Sequence, residues 1–135
     1  MLWKGMDRRR FPRANFPCLI RILQQGKGVA PILTHTEDIS IGGVGVCIPD
    51  ELELFEAIMI ELDLIDGETP VSCHGKVMWV VQHKSSESTK KPFFDTGIEF
   101  ITMDEGCRAR LEKVVNYVTT GQKIAEERTR PNGQS

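Results

Sequence analysis

Apolar and polar residues alternate most regularly from Ala57 to Ile65, with Ile58, Ile60, Leu62 and Leu64 on one side and Glu61 and Asp63 on the other. This period of two predicts a strand with one buried face. Phe16–Leu23 reads as an earlier strand, Pro17 suiting its start, and Val29–Glu37 and Val44–Ile48 as the next two. Pro70–Gln82 is a longer strand with Val71, Cys73, Val77, Trp79 and Val81 on one face, which places Trp79 in the core. In the last strand, Phe93–Ile101, Phe94, Ile98 and Phe100 point one way around Thr96. Turn chemistry separates these runs at Gln24–Gly28, Pro49–Glu51 and Asp66–Gly67, and a polar hairpin tip spans Lys84–Pro92. The period then changes. Thr102 and Glu105 form a capping-box pattern, Cys107, Leu111, Val114 and Val118 recur at helical spacing, and Gly121 is a natural stop. Gln122–Arg130 has the composition to extend the helix, whereas Pro131–Ser135 is expected to be disordered. Six short strands and one terminal helix predict a mainly β fold, a small six-stranded antiparallel β-barrel with a C-terminal α-helix, because closure removes exposed sheet edges.

At 135 residues the chain suits one domain. Composition, at 40% hydrophobic, 27% charged and net charge −2, says little about partners. Charge distribution says more: Lys4, Arg8, Arg9, Arg10, Arg13 and Arg21 crowd the start with only Asp7 among them, as in an anion-binding arm. No stretch approaches the roughly 20 apolar residues of a membrane span, and the first residues lack the apolar core of a signal peptide, so a cytoplasmic protein without membrane insertion is expected. The four cysteines, Cys18, Cys47, Cys73 and Cys107, lie apart in apolar segments and read as buried free thiols.

Catalytic signatures are missing. Ser40 has no G-x-S-x-G setting, His35, His74 and His83 match no metal spacing, and there is no Walker loop or G-x-G-x-x-G, so neither an enzyme nor a metal or cofactor site is expected. The turn Asp38-Ile39-Ser40-Ile41-Gly42-Gly43 is the better candidate. Its glycines can take positive φ and expose backbone amides, while Asp38 and Ser40 supply an acceptor and a donor/acceptor. Alone it could equally be a self-capping turn.

Arg9-Arg10-Phe11-Pro12-Arg13, followed after two strands by Asp38-x-Ser40-x-x-Gly43, closely resembles the R-x-x-x-R and [D/N]-x-S-x-x-G signature of the PilZ domain family. Gly75–Trp79 and Gly97–Phe100 are also similar, and the resemblance covers about Asp7 to Val118. It implies a six-stranded barrel and a bacterial receptor for cyclic di-GMP. Residues 1–15 would be the basic arm, 16–121 the PilZ-like barrel and helix, and 122–135 a polar, partly disordered tail. Arg9 and Arg13 would be the core pair, since a guanidinium forks onto phosphate or guanine O6/N7 and stacks on a base. Asp38 would accept from guanine N1–H and the 2-amino group, Ser40 would bond the base or brace the turn, and Gly42 and Gly43 would admit the ligand close to the backbone. Arg8, just before the motif, is of the type that resembles receptors of two ligand molecules per chain; Arg10 would be solvated or add a phosphate contact. Binding would order the arm and present a new surface to an effector protein that the sequence does not identify.

Two alternatives remain. One is a PilZ-fold interaction module that does not bind the nucleotide, against which the intact motifs argue. The other is a small barrel binding single-stranded nucleic acid, which would need stacking aromatics; at 7% aromatic the chain gives that little support, so no DNA or RNA partner is expected.

Overall fold

A computed structural model describes residues 14–26, 28–83 and 92–129. Six strands, β1 (Leu19–Gln24), β2 (Ile32–Ile39), β3 (Gly43–Ile48), β4 (Ala57–Asp63), β5 (Val71–His83) and β6 (Phe93–Thr102), precede one helix, α1 (Glu105–Thr129). They close into an antiparallel barrel in the order β1-β2-β3-β6-β5-β4, with β4 pairing back onto β1. The fold is the predicted one. Strands β1 and β2 start three residues later than expected, and the hairpin tip at 84–91 lies outside the described residues.

Inward positions fill the barrel with aliphatic side chains, among them Ile20, Ile22, Ile58, Ile60, Leu62 and Ile98. Fully burying one such side chain contributes about 1.5–3 kcal/mol. Thr96 joins them on β6 and donates to the Phe94 carbonyl at 3.4 Å. Cys18 and Cys73 are buried free thiols, pushed up by desolvation to about 11 and about 12, so both stay protonated at neutral pH. Cys47 and Cys107 are only partly buried, short of the expectation.

Of three register shifts in the described strands, two re-aim this face of the barrel. On β2, Thr36 pairs with Val46 but Asp38 with Gly45, so Glu37 is extra. Both Thr36 and Ile39 can then face inward, leaving Asp38 outside. On β5, Val77 pairs with Ile98 but Trp79 with Gly97, so Met78 is extra. Val77 and Val80 pack toward the core, while Trp79 turns outward. The expected core position of Trp79 is therefore corrected, because strict alternation does not survive an inserted residue.

The helix begins differently from expectation. Thr102 still belongs to β6, and Asp104 is the cap: its Oδ1 accepts from Cys107 N–H at 2.8 Å and its carbonyl from Arg108 N–H at 2.9 Å. Leu111 and Val115 are fully buried against the barrel, with Cys107, Val114 and Val118 packed around them; Val115 was not in the predicted stripe. Gly121 does not stop the helix, which runs on to Thr129. An exposed mid-helix glycine costs only about 1 kcal/mol, too little to end it alone.

Arg110 fastens the helix to the β4–β5 turn, donating from Nε and Nη2 to Asp66 at 3.0 and 2.9 Å and to the Thr69 carbonyl at 2.8 Å. The Arg110 hydrogen bonds hold the Asp66 carboxyl below its ordinary value, and the Cys107 amide does the same for Asp104. A depressed folded-state pKa stabilises fully above the unfolded carboxylate value and is lost as pH falls through the folded one. Chemical denaturation below about pH 4 should therefore show falling stability. Arg110→Ala should flatten the Asp66 part of that slope and cost about 1 kcal/mol at neutral pH.

Candidate functional site

The segment leading into β1 is stitched to β2. Ala14 N–H donates to the Ile39 carbonyl at 2.8 Å, and Ile39 N–H returns the bond to the Ala14 carbonyl at 3.0 Å. Thr36 Oγ1 donates to the Phe16 carbonyl at 2.8 Å and accepts from Cys18 N–H at 3.0 Å. Ala14, placed in the arm by the sequence, is thus fully buried in the core. The bridge has a direct consequence for the site: the residue that follows Arg13 is hydrogen-bonded to the residue between Asp38 and Ser40. Arg8, Arg9, Arg10 and Arg13 themselves lie outside the described residues.

Ser40 is buried and braces the turn. Its Oγ accepts from the Gly42 and Gly43 amides at 3.2 Å each and donates to the Gly43 carbonyl at 3.3 Å; Ser40 N–H reaches the same carbonyl at 2.9 Å. Phe100 N–H donates to the Gly42 carbonyl at 2.9 Å, tying the turn to β6. Of the two roles open to Ser40, bracing is the one these bonds perform. Ser40→Ala should cost about 1 kcal/mol of stability, read from a denaturant midpoint.

Gly43 does not use the positive φ open to it; among the described residues the glycines with positive φ are Gly26, Gly28 and Gly67. Its reason is contact: a Cβ there would lie 2.2 Å from the Ile98 carbonyl oxygen.

Across the outer face, pairing sets Asp38 on β2, Gly45 on β3, Gly97 on β6 and Trp79 on β5 in one row. The two buried glycines leave space over the sheet that the Asp38 carboxylate and the Trp79 indole fill. A Cβ on Gly45 would meet Asp38 Oδ1 at 2.9 Å, and one on Gly97 would meet Trp79 Nε1 at 2.1 Å, so both side chains lean over bare backbone. Asp38, Gly45 and Trp79 line a cleft of about 450 Å³ together with Glu37, Val81, His83 and Asp95. His83 Nε2 and Asp95 Oδ2 stand 2.6 Å apart at its edge, and the His83 ring stacks on Phe93 at 5.2 Å. The arrangement offers carboxylate acceptors beside an aromatic wall, features suited to a flat, donor-bearing ring. Gly45, Gly97 and Trp79 were not among the predicted site residues, although isolated glycines inside strands signal a close approach. Gly97→Ala should displace the indole rather than unfold the barrel, shifting Trp79 emission in a Trp3→Phe background.

The sequence matches the PilZ domain family over residues 7–117. No curated protein sequence matches it. Among solved structures, the Bacillus subtilis inhibitor of motility MotI/DgrA superposes with a TM-score of 0.66 at 16% identity, covering 84% of this chain and 52% of that one. The chain therefore spans about half that protein's length. The Escherichia coli YcgR PilZ domain, solved with c-di-GMP, gives 0.63 at 14% identity, covering 89% and 98%. The K. pneumonia MrkH–c-di-GMP complex gives 0.65 at 16%, covering 87% and 55%. At these identities the superpositions speak for the fold.

Proposed function

Because the chain belongs to the PilZ domain family, matched over residues 7–117, we propose that it is a receptor for cyclic di-GMP that passes the signal to an effector protein. The observation that carries the reading is the Ala14–Ile39 bridge, which roots the arginine-bearing segment beside Asp38 and Ser40. Arg9 and Arg13 clasp the phosphates or the guanine O6/N7 edge, each through a planar fork of donors. Asp38 accepts from guanine N1–H and the 2-amino group; Ser40 keeps the turn in shape for it. Gly42 in that turn, with Gly43 beside it, allows the ligand close to the backbone. Gly45 and Gly97 let the Asp38 carboxylate and the Trp79 indole lie close over the sheet, and Trp79 supplies a stacking face worth about 1–3 kcal/mol per base. Arg8 supports a second ligand molecule, and Arg10 adds phosphate contact. No bond is made or broken: the output is an ordered arm and a new surface.

Hydrogen exchange over Met6–Asn15 tests the reading. Cyclic di-GMP should raise protection there strongly, whereas equal exchange with and without the nucleotide would refute ordering of the arm.

A further inference from the structure

The cleft that holds Asp38 and Trp79 has a further polar wall, made by His83 on β5 and Asp95 on β6. Asp95 stands across from Val81 and His83 across from Phe93, in the next two rows along the ladder from Trp79 and Gly97. The imidazole is held twice: Nε2 lies 2.6 Å from Asp95 Oδ2, and the ring stacks on Phe93 at 5.2 Å with 12° between the planes. A ring fixed before the ligand arrives gives up little freedom on binding. Neutral imidazole carries one N–H and one acceptor nitrogen, and the tautomer follows the hydrogen bond already made. A carboxylate only accepts, so Asp95 takes the Nε2–H and leaves His83 Nδ1 as a bare acceptor. Glu37 and Asp38 line the same cleft, and their carboxylates accept as well.

Walls of acceptors call for a base edge of donors. Guanine has one, with N1–H beside the 2-amino group, whereas adenine sets an unprotonated N1 there and has no 2-amino group. We propose, as an inference that rests on reading the cleft as the cyclic di-GMP site, that His83 reads one guanine of the ligand while Asp38 reads the other. The cleft is then selective for a ligand with guanine at both positions. His83 Nδ1 accepts a hydrogen from the guanine edge, and Asp95 is a positioning residue that fixes the tautomer. Adenine in the same place would set acceptor against acceptor, which rejects a base more firmly than a lost apolar contact does.

Calorimetric affinities of the intact chain and of His83→Phe for cyclic di-GMP, and for cyclic GMP–AMP of the same linkage, test this. The intact chain should prefer cyclic di-GMP at least tenfold. His83→Phe keeps an aromatic ring against Phe93 but has no acceptor. It should weaken cyclic di-GMP about tenfold, the effect of one hydrogen bond, and leave cyclic GMP–AMP no weaker, so that the preference collapses. Asp95→Ala, which frees the ring to take either tautomer, should lower the preference too; an unchanged preference there would strike the positioning role. Equal binding of both ligands by the intact chain, no change in His83→Phe, or an equal loss for both ligands would overturn the inference and leave the cleft assignment standing. No binding of cyclic di-GMP by the intact chain would overturn both. Should His83→Phe fail to fold, nitrogen NMR of the intact chain decides: the His83 Nδ1 resonance should move with cyclic di-GMP and stay with cyclic GMP–AMP, and one that moves equally with both, or with neither, refutes the contact.

Discussion

Gly43→Ala should destabilise the barrel by about 3 kcal/mol or more, the largest loss expected from adding one methyl group. The new Cβ would sit 2.2 Å from the Ile98 carbonyl oxygen, 3.2 Å from its carbonyl carbon and 3.3 Å from Glu99 Cα. All three are backbone atoms of β6, which pairs with β3 from Gly43 to Ile48, so no side chain can swing aside. Relief requires parting the two strands where the turn also receives the Phe100 amide. Urea unfolding of the variant should show a lower midpoint and, at ligand concentrations that saturate the parent, weaker binding. An unchanged midpoint would show that β3 and β6 are not in this register. Gly43 thus serves the site through the barrel that shapes it.

Arg9→Ala and Arg13→Ala should each weaken cyclic di-GMP binding at least tenfold, with the double variant losing roughly a hundredfold or more. A charge-assisted hydrogen bond contributes about 1.5–3 kcal/mol, truncating one partner of a desolvated charged pair costs roughly 2–5 kcal/mol, and 1.4 kcal/mol is a factor of ten. Asp38 and the cleft residues Glu37 and Asp95 make the face acidic, so a dianionic ligand needs the arginines to offset three nearby carboxylates as well as to bind phosphate. Binding should therefore weaken steeply with salt. Calorimetry at two salt concentrations reads both effects, and unchanged affinity in both single variants would remove the arginines from the site.

Much of this was legible in the chain because it depends on local chemistry. The strict alternation around Ile58, Ile60 and Leu62 admits one reading, and those side chains are fully buried. The Asp38–Gly43 turn was legible as a unit, and its serine caps it with bonds between neighbours in sequence. What depends on pairing was hidden. The extra residues Glu37 and Met78 carry no composition signal, yet they decide that Asp38 and Trp79 face outward. Gly45 and Gly97 look like weak points in strands until their cross-strand partners are known; pairing puts them beneath the Asp38 carboxylate and the Trp79 indole, where no Cβ fits. The helix start was misplaced by two residues because Thr102 and Asp104 are both competent caps, and the β6 ladder claims Thr102. Ala14 escaped notice because a single small residue has no period, although its bridge ties the residue after Arg13 to Ile39.

A calorimetric titration of the intact chain with cyclic di-GMP, run beside GTP and a single-stranded oligonucleotide, decides whether this barrel is a receptor for the dinucleotide. Cyclic di-GMP alone should bind saturably, with two molecules per chain. Heat from the oligonucleotide, or none from cyclic di-GMP, would contradict it.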